Sequence, residues 1–378
     1  MPFDPMDNTF LLAGPVKMHP RVLRAMAVPA VAHRDPGFVD VNKRMQERLR
    51  EVFQTSAPIV SIAGSGTAGM DAAAQSMLKK TDKAVALDNG KFGNRFCSLA
   101  SLYGTSTTLT APWGQPIDLD KLNKTLQEVR PKALFLTHNE SSVGFTQPLE
   151  RISKMAHDVG ALVVADCITS IGGMDVPVDK WGIDIAIVGS QKCLGMPAGL
   201  VFVSVNEKAQ AALHKDNGYY LNLTKYIKKA AENDTPFTPA IPLHLAAIEA
   251  LDIIHAEGLQ NRITKVRKQA SATRAAFEAM GLELFVPAGY RSDTVTAVRY
   301  PAGVDDSKVR KTLKQDHNVI IAGGQDGVKG VIFRLGHMGT VTNPELVGGI
   351  AAVESALLAN GAKLKRGAWV EAWNASIA

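Results

Sequence analysis

Cysteine is scarce: the 378 residues hold only Cys97, Cys167 and Cys193. A sparse, odd set gives no disulfide framework, and no CxxC pair offers a structural zinc site, so no metal is expected. Long apolar runs are missing too; none approaches the roughly 20 residues of a membrane-spanning helix. The stretch Met1 to Thr9 has no basic region followed by an apolar one, and Ser376-Ile377-Ala378 is not a peroxisomal address, so the cytoplasm is the expected compartment. There is no internal repeat and no low-complexity segment. Neither sign of charge dominates: 42 Lys and Arg against 36 Asp and Glu leave +6. The basic residues are spread out, with short clusters such as Lys225, Lys228 and Lys229 but no arm or long run. Nucleic acid and membrane are therefore not expected partners. The excess fits solvated faces or the wall of a site for anionic small molecules.

What is present is an ordinary globular composition, 46% hydrophobic and 21% charged, long enough to bury a substantial core. Short apolar runs alternate with helical periodicity. Strands are expected at Pro58 to Ile62, Ala84 to Leu87, Ala133 to Thr137, Ala161 to Ala165, Ile183 to Val188 and Leu200 to Val205. Helices are expected at Asp40 to Phe53, Ala68 to Lys80, Leu119 to Val129 and Leu149 to Val159. The runs are almost continuously apolar, as in strands buried on both faces of a parallel sheet. The fold class is therefore α/β, a doubly wound and mostly parallel sheet. Two long helical patterns follow, Leu243 to Glu257 and Asn261 to Met280. Short strands (Val295 to Tyr300, Val331 to Leu335) come next, with a helix at Ser307 to Asp316 between them and a closing helix at Pro344 to Asn360. The organisation read from this is an N-terminal arm (1–20), a large domain (21–257) and a smaller α+β domain (258–378).

Ligands of open α/β sheets bind beyond the carboxyl ends of the strands, so the residues there carry the chemistry. Asp166 ends the run Ala161-Leu162-Val163-Val164-Ala165. A carboxylate in that place needs a partner, and a helix cap, a metal or a buried organic cation would each serve. Lys192 follows one βα excursion later. It could be a surface residue, an ion-pair partner of Asp166, or an amine whose partial burial makes it a nucleophile toward an aldehyde. Ala63-Gly64-Ser65-Gly66-Thr67 lies between a strand and a helix. It lacks the GK[ST] of a P-loop and the full GxGxxG spacing, which leaves a single phosphate monoester as the suitable ligand. Phe92, within Asn89-Gly90-Lys91-Phe92-Gly93-Asn94-Arg95, is placed to stack on a flat ligand or to fill core. Cys167 and Cys193 read as small buried fillers, His33 and Arg34 as a polar turn with a capping or interdomain role, and His138 as a group orienting an oxygen.

The segment Gly189-Ser190-Gln191-Lys192-Cys193-Leu194-Gly195-Met196-Pro197-Ala198-Gly199, with Asp166 upstream, resembles the lysine motif of class V, fold-type I aminotransferases. The nearest subgroup is the alanine–glyoxylate, serine–glyoxylate and serine–pyruvate enzymes. The likeness runs from Leu12-Ala13-Gly14-Pro15 to Arg334-Leu335-Gly336. It implies pyridoxal 5′-phosphate (PLP) as cofactor, with Lys192 as the Schiff-base lysine that then shuttles the substrate proton. Asp166 is implied to pair with the pyridine nitrogen, Phe92 and Ile168 to flank the ring, and Ser65, Gly66, Thr67 and Gln191 to surround the phosphate. Ser141 is implied near the ring 3-oxygen, Thr235 and Thr238 at the phosphate of a second subunit, and Arg334 on the substrate α-carboxylate. The same likeness implies a homodimer with sites at the subunit interface, and amino-acid and 2-oxo-acid substrates. Thr67 stands where relatives carry His or Thr, and Thr235 where some carry Tyr. Alanine or serine is the expected donor, with aspartate and phosphoserine open, and glyoxylate or pyruvate the expected acceptor.

Two other readings compete. A cysteine desulfurase or lyase on this fold would carry a His before the lysine and a catalytic cysteine late in the chain, whereas here Gln191 precedes Lys192 and no cysteine follows Cys193. A non-enzymatic basic binding module would leave the lysine, aspartate, phenylalanine and glycine elements at the strand ends without a common purpose.

Overall fold

The computed structural model describes residues 8–29, 31–216 and 218–378. Seven strands form the large sheet: β1 Ile59–Ala63, β2 Lys83–Asp88, β3 Thr105–Thr110, β4 Ala133–Thr137, β5 Leu162–Asp166, β6 Ile185–Gly189 and β7 Leu200–Val205. Their spatial order is β1-β7-β6-β5-β4-β2-β3. The run from β6 to β3 is parallel, and β7 is antiparallel to both of its neighbours.

The sheet is covered on both sides, and its side chains alternate between two cores. Val163, Ala165, Ala186 and Val188 face one core with Met45, Leu49 and Ile254. Val164, Ile185 and Ile187 face the other with Met70, Met77 and Phe96. Burial on both faces is why the strands read as unbroken apolar runs. The polar strand β3 is the exception. As the sheet edge it buries only Leu109, and its threonines hold the extended backbone by β-branching rather than by apolarity. It was not among the expected strands.

A smaller sheet follows, built from β8 Val295–Arg299, β9 Ala322–Gly323 and β10 Ile332–Gly336 in the order β8-β10-β9, all antiparallel. Its core takes Ala276 and Phe277 from the helix Leu259–Ala279 and Ile350 and Val353 from the helix Asn343–Ala359. The chain does not close on that last helix. A further helix, Trp369–Ile377, buries Trp369 and Trp373 in the same core.

The N-terminal arm is bound, not loose. Thr9–Phe10 pairs in parallel with Val319–Ile320, and Gly336 N–H donates to the Leu11 carbonyl (2.9 Å). The arm then crosses to the large sheet, where Val16 N–H donates to the Gln191 carbonyl (3.1 Å). Residues 1–7 of the expected arm lie outside the described residues.

The helix Gly66–Met77 starts directly at the end of β1 and lies close against the sheet at Gly69. A Cβ there would stand 2.5 Å from Val201 Cγ2 and 2.8 Å from Ile187 Cγ2. We expect Gly69→Ala to push the helix off the sheet and cost about 1–3 kcal/mol, the range for overpacked cores. A melting temperature unchanged from wild type in differential scanning fluorimetry would contradict this packing.

Candidate active site

The carboxyl ends of the parallel strands open into a cavity of about 210 Å³. Its wall includes Ser65, Gly66, Thr67, Phe92, Ser141, Asp166, Ile168, Gln191 and Lys192, which the sequence singled out, together with Arg95, Asn139 and Thr169, which it did not. Arg95 lies one helical turn beyond Phe92 on the same face, an i,i+3 relation that would have drawn attention to it.

The cavity takes its shape from chain geometry. Gly64 (φ +157°) turns β1 into the helix Gly66–Met77, and Ser65, the N-cap, spends no side-chain hydrogen bond on capping. Gly66 admits Ile168 beside it: a Cβ on Gly66 would meet Ile168 Cδ1 at 2.4 Å. Phe92 is not in a glycine-flanked loop, as its neighbours imply, but is the second residue of the helix Lys91–Tyr103. That turn is held by Glu140, whose Oε2 accepts from Phe92 N–H and Gly93 N–H at 2.9 Å each. Glu140 is fully buried, and burial pushes its carboxyl upward against the hydrogen bonds from Ser142, Gly93 and Phe92. Such a carboxylate at the helix N-terminus also meets the positive end of the helix dipole.

Asp166 is the last residue of β5 and is 3% exposed. Its Oδ1 accepts from Ile168 N–H (2.9 Å), and Oδ2 has only the long contact from Thr137 Oγ1 (3.3 Å). Burial raises its pKa to about 7 against the Ile168 hydrogen bond, with the charge of Glu140 adding to the rise. Lys192 lies past the end of β6, and its Nζ donates to the Ala13 carbonyl (2.6 Å) rather than to Asp166. Burial lowers the Lys192 pKa to about 8; the positive charges of Arg334 and Arg95 push the same way and Asp166 opposes them. The arm passes so close that a Cβ on Gly14 would lie 2.2 Å from Lys192 Cδ, and φ +96° at Gly14 suits glycine for a second reason.

Gln191 leaves its Oε1 buried without a partner. Arg334 on β10 is 5% exposed, with Nη1 donating to the Ser141 carbonyl (2.7 Å) and Nη2 and Nε to the Gly323 carbonyl (2.7 and 3.1 Å). It sits behind Ser141, adjoining the cavity without lining it. Thr235 and Thr238 are not at this cavity. Thr235 is buried near Asn42, Met45 and Tyr226, its Oγ1 donating to the Phe237 carbonyl (2.8 Å), and Thr238 is exposed. Arg34 forms an ion pair with Asp234 beside that segment. His138 faces Ser170 Oγ (2.9 Å) and lies edge-on to Trp181; burial lowers its pKa to about 3 and keeps it neutral. Cys167 and Cys193 are buried fillers, and burial pushes both thiols up.

The two central groups pull stability in opposite directions. The Asp166 carboxyl keeps its proton to about pH 7 when folded but loses it near 3.8 when unfolded. The folded state thus binds more protons in that window, and stability falls as pH rises through it. For Lys192 the unfolded state binds more protons between about 8 and 10.5, so stability rises there. For cofactor-free protein we expect the melting-temperature advantage of Asp166→Asn over wild type to grow from pH 4 to pH 7. An advantage independent of pH would contradict the shift at Asp166.

The model of the aminotransferase class-V family matches residues 23–342. An uncharacterised aminotransferase of Methanocaldococcus jannaschii is 39% identical over 97% of this chain and 96% of its own. The serine–glyoxylate aminotransferase of Methylorubrum extorquens is 32% identical, with 97% and 95% covered. The crystal structure of an alanine–glyoxylate aminotransferase from Nostoc sp. superposes with a TM-score of 0.90 at 34% identity, over 94% of this chain and 97% of that one. With an amine and a carboxylate at the walls of one strand-end cavity, and with these likenesses spanning nearly the whole chain, the protein belongs to the class V aminotransferases and is an enzyme that transfers amino groups between amino acids and 2-oxo acids.

Proposed function

We propose that the chain binds PLP in this cavity and moves the amino group of a small L-amino acid, alanine or serine, to a 2-oxo acid such as glyoxylate or pyruvate. The observation that carries the reading is the placement of Lys192 and Asp166 on one cavity whose other walls are Phe92 and Ile168. The space fits the cofactor. A slot between an aromatic ring and a branched aliphatic side chain suits a flat heterocycle. Gly66 keeps the wall open beside Ile168, and the unpartnered Gln191 Oε1 and the uncommitted Ser65 side chain leave polar atoms for a ligand.

When bound, PLP supplies an aldehyde that accepts amines and a ring that draws electrons from the bond being broken. The protein's share is placement and proton transfer. Asp166, with Oδ2 nearly unused, would hold the ring N–H, and the positive charge so gained would draw its carboxyl back to the ionised form. Phe92 and Ile168 would hold the ring between them, and Ser141 would sit near its 3-oxygen. Ser65, Gly66, Thr67 and Gln191 would take the phosphate. Lys192, its ammonium form disfavoured, would take the proton from the substrate Cα and return it to the other carbon. Arg334 would receive the substrate carboxylate once its guanidinium turns from the Ser141 and Gly323 carbonyls. Thr235 and Thr238 would act at the phosphate of a second copy in a homodimer, the role implied by family likeness.

Purified protein, or protein reconstituted with PLP, is expected to absorb in the visible. Borohydride or Lys192→Ala should remove the band, and a colourless protein that PLP cannot reconstitute would overturn the reading. In a panel of donors against glyoxylate, pyruvate and 2-oxoglutarate, alanine or serine should lead; activity confined to dicarboxylic donors would shift the substrate class. Arg334→Gln should raise the KM for the amino acid at least tenfold, as loss of a charge-assisted pair does. An unchanged KM would remove Arg334 from that role.

A further inference from the structure

Arg95 is a cation without a counter-charge. It is part-buried on the cavity wall, and among the described residues no carboxylate lies within ion-pair distance of it. Its Cζ lies 4.9 Å from the Phe92 ring centroid, and Nη1 donates to Thr67 Oγ1 (2.8 Å), leaving most of the guanidinium N–H groups unspent. Thr67 therefore accepts from Arg95, and its own O–H finds no acceptor among the described residues. A hydroxyl has one hydrogen to donate. Once a guanidinium occupies a lone pair, that hydrogen is turned away from the arginine. Thr67 lies in the first turn of the helix Gly66–Met77, where free backbone N–H groups and the helix dipole favour an anion. Beside it stands the uncommitted Ser65 hydroxyl, a donor from which an anion can accept.

We infer that Arg95 is the positive pole of the anion site at this end of the cavity. It directs the Thr67 O–H toward a phosphate monoester while its stacking on Phe92 fixes the plane of that ring. This rests on the PLP reading for the identity of the phosphate, but not for the existence of the anion site. A substrate carboxylate has the same charge and is the competing source. The position of Arg95 beside Thr67, rather than beside Ser141 and Arg334, favours the phosphate.

Two aldehyde-free probes separate ring from phosphate without a bond to Lys192: 4-deoxypyridoxine 5′-phosphate and 4-deoxypyridoxine. With inorganic phosphate as a third ligand, each is titrated calorimetrically into the cofactor-free full chain. Arg95→Met should weaken the phosphorylated probe and inorganic phosphate about tenfold to a hundredfold, the scale of a lost charge-assisted hydrogen bond, and leave the unphosphorylated probe nearly unchanged. Thr67→Val should show the same selectivity, and the double variant should lose less than the product of the two singles. Arg95→Lys, which keeps the charge but not the fork, should fall between. If Arg95→Met does not fold, Arg95→Lys and Thr67→Val carry the comparison.

Equal weakening of both probes would make Arg95 a ring-stacking support, and unchanged phosphate binding would remove it from the site. Unchanged phosphate binding with a raised KM for aspartate alone would give Arg95 to the substrate. Each of these overturns the inference. Wild-type protein that binds inorganic phosphate in an Arg95-dependent way, but neither probe, would instead overturn the PLP reading and leave the anion site standing. Wild-type protein that binds none of the three would overturn both.

Discussion

The site depends on keeping an amine and a carboxyl out of water in one crevice without letting them neutralise each other. Burial drives Lys192 and Asp166 toward their uncharged forms, the one down to about 8 and the other up to about 7. Had they met as an ion pair, both shifts would run the other way, and the amine would be a poor nucleophile. The Ala13 carbonyl prevents this by taking the lysine hydrogen bond, while Ile168 N–H holds one oxygen of the aspartate. The parallel strands β5 and β6 bring the two residues to the same edge, and the segments after those strands keep them apart.

Glu140 adds a second buried carboxyl close by. It holds the first turn of the helix that bears Phe92 and Arg95, two residues of the cavity wall. Its charge adds to the burial that raises the pKa of Asp166, and at Arg334 it opposes the burial that lowers the guanidinium to about 10. Two carboxyls, Asp166 on the cavity wall and Glu140 buried beside the Phe92 helix, thus lie near two guanidiniums, Arg95 on the wall and Arg334 adjoining it. That arrangement suits a ligand with a positive ring and negative extremities better than a uniformly charged one.

Much of this was legible in the sequence, and the reasons are particular. Unbroken apolar runs such as Ile185–Gly189 announce strands buried on both sides, and the polar residues at their ends mark the site. Periodicity carries no strand direction, so nothing in Leu200–Val205 told that it runs against its neighbours. The edge strand Thr105–Thr110 was hidden because its stability comes from β-branching at a solvent-facing border. Phe92 lines the cavity from the first turn of a helix, which its neighbours Gly90 and Gly93, residues that usually break helices, do not announce. In fact Gly90 makes room for Glu140 and Gly93 for the Leu87 carbonyl. Arg95 shows only once Phe92 is placed on a helix, one turn before it. Ala13 acts through a backbone carbonyl, which leaves no motif.

The N-terminal arm ties the small sheet to the large one. Thr9–Phe10 and Leu11 are tied to Val319–Ile320 and Gly336, Val16 is tied to Gln191, and between them Ala13 and Val16 share a small apolar cluster with Cys193, Val295 and Met338. A strap fastened at both ends cannot follow one anchor without leaving the other. The carbonyl that holds Lys192 is therefore positioned from the small sheet and the large one at once.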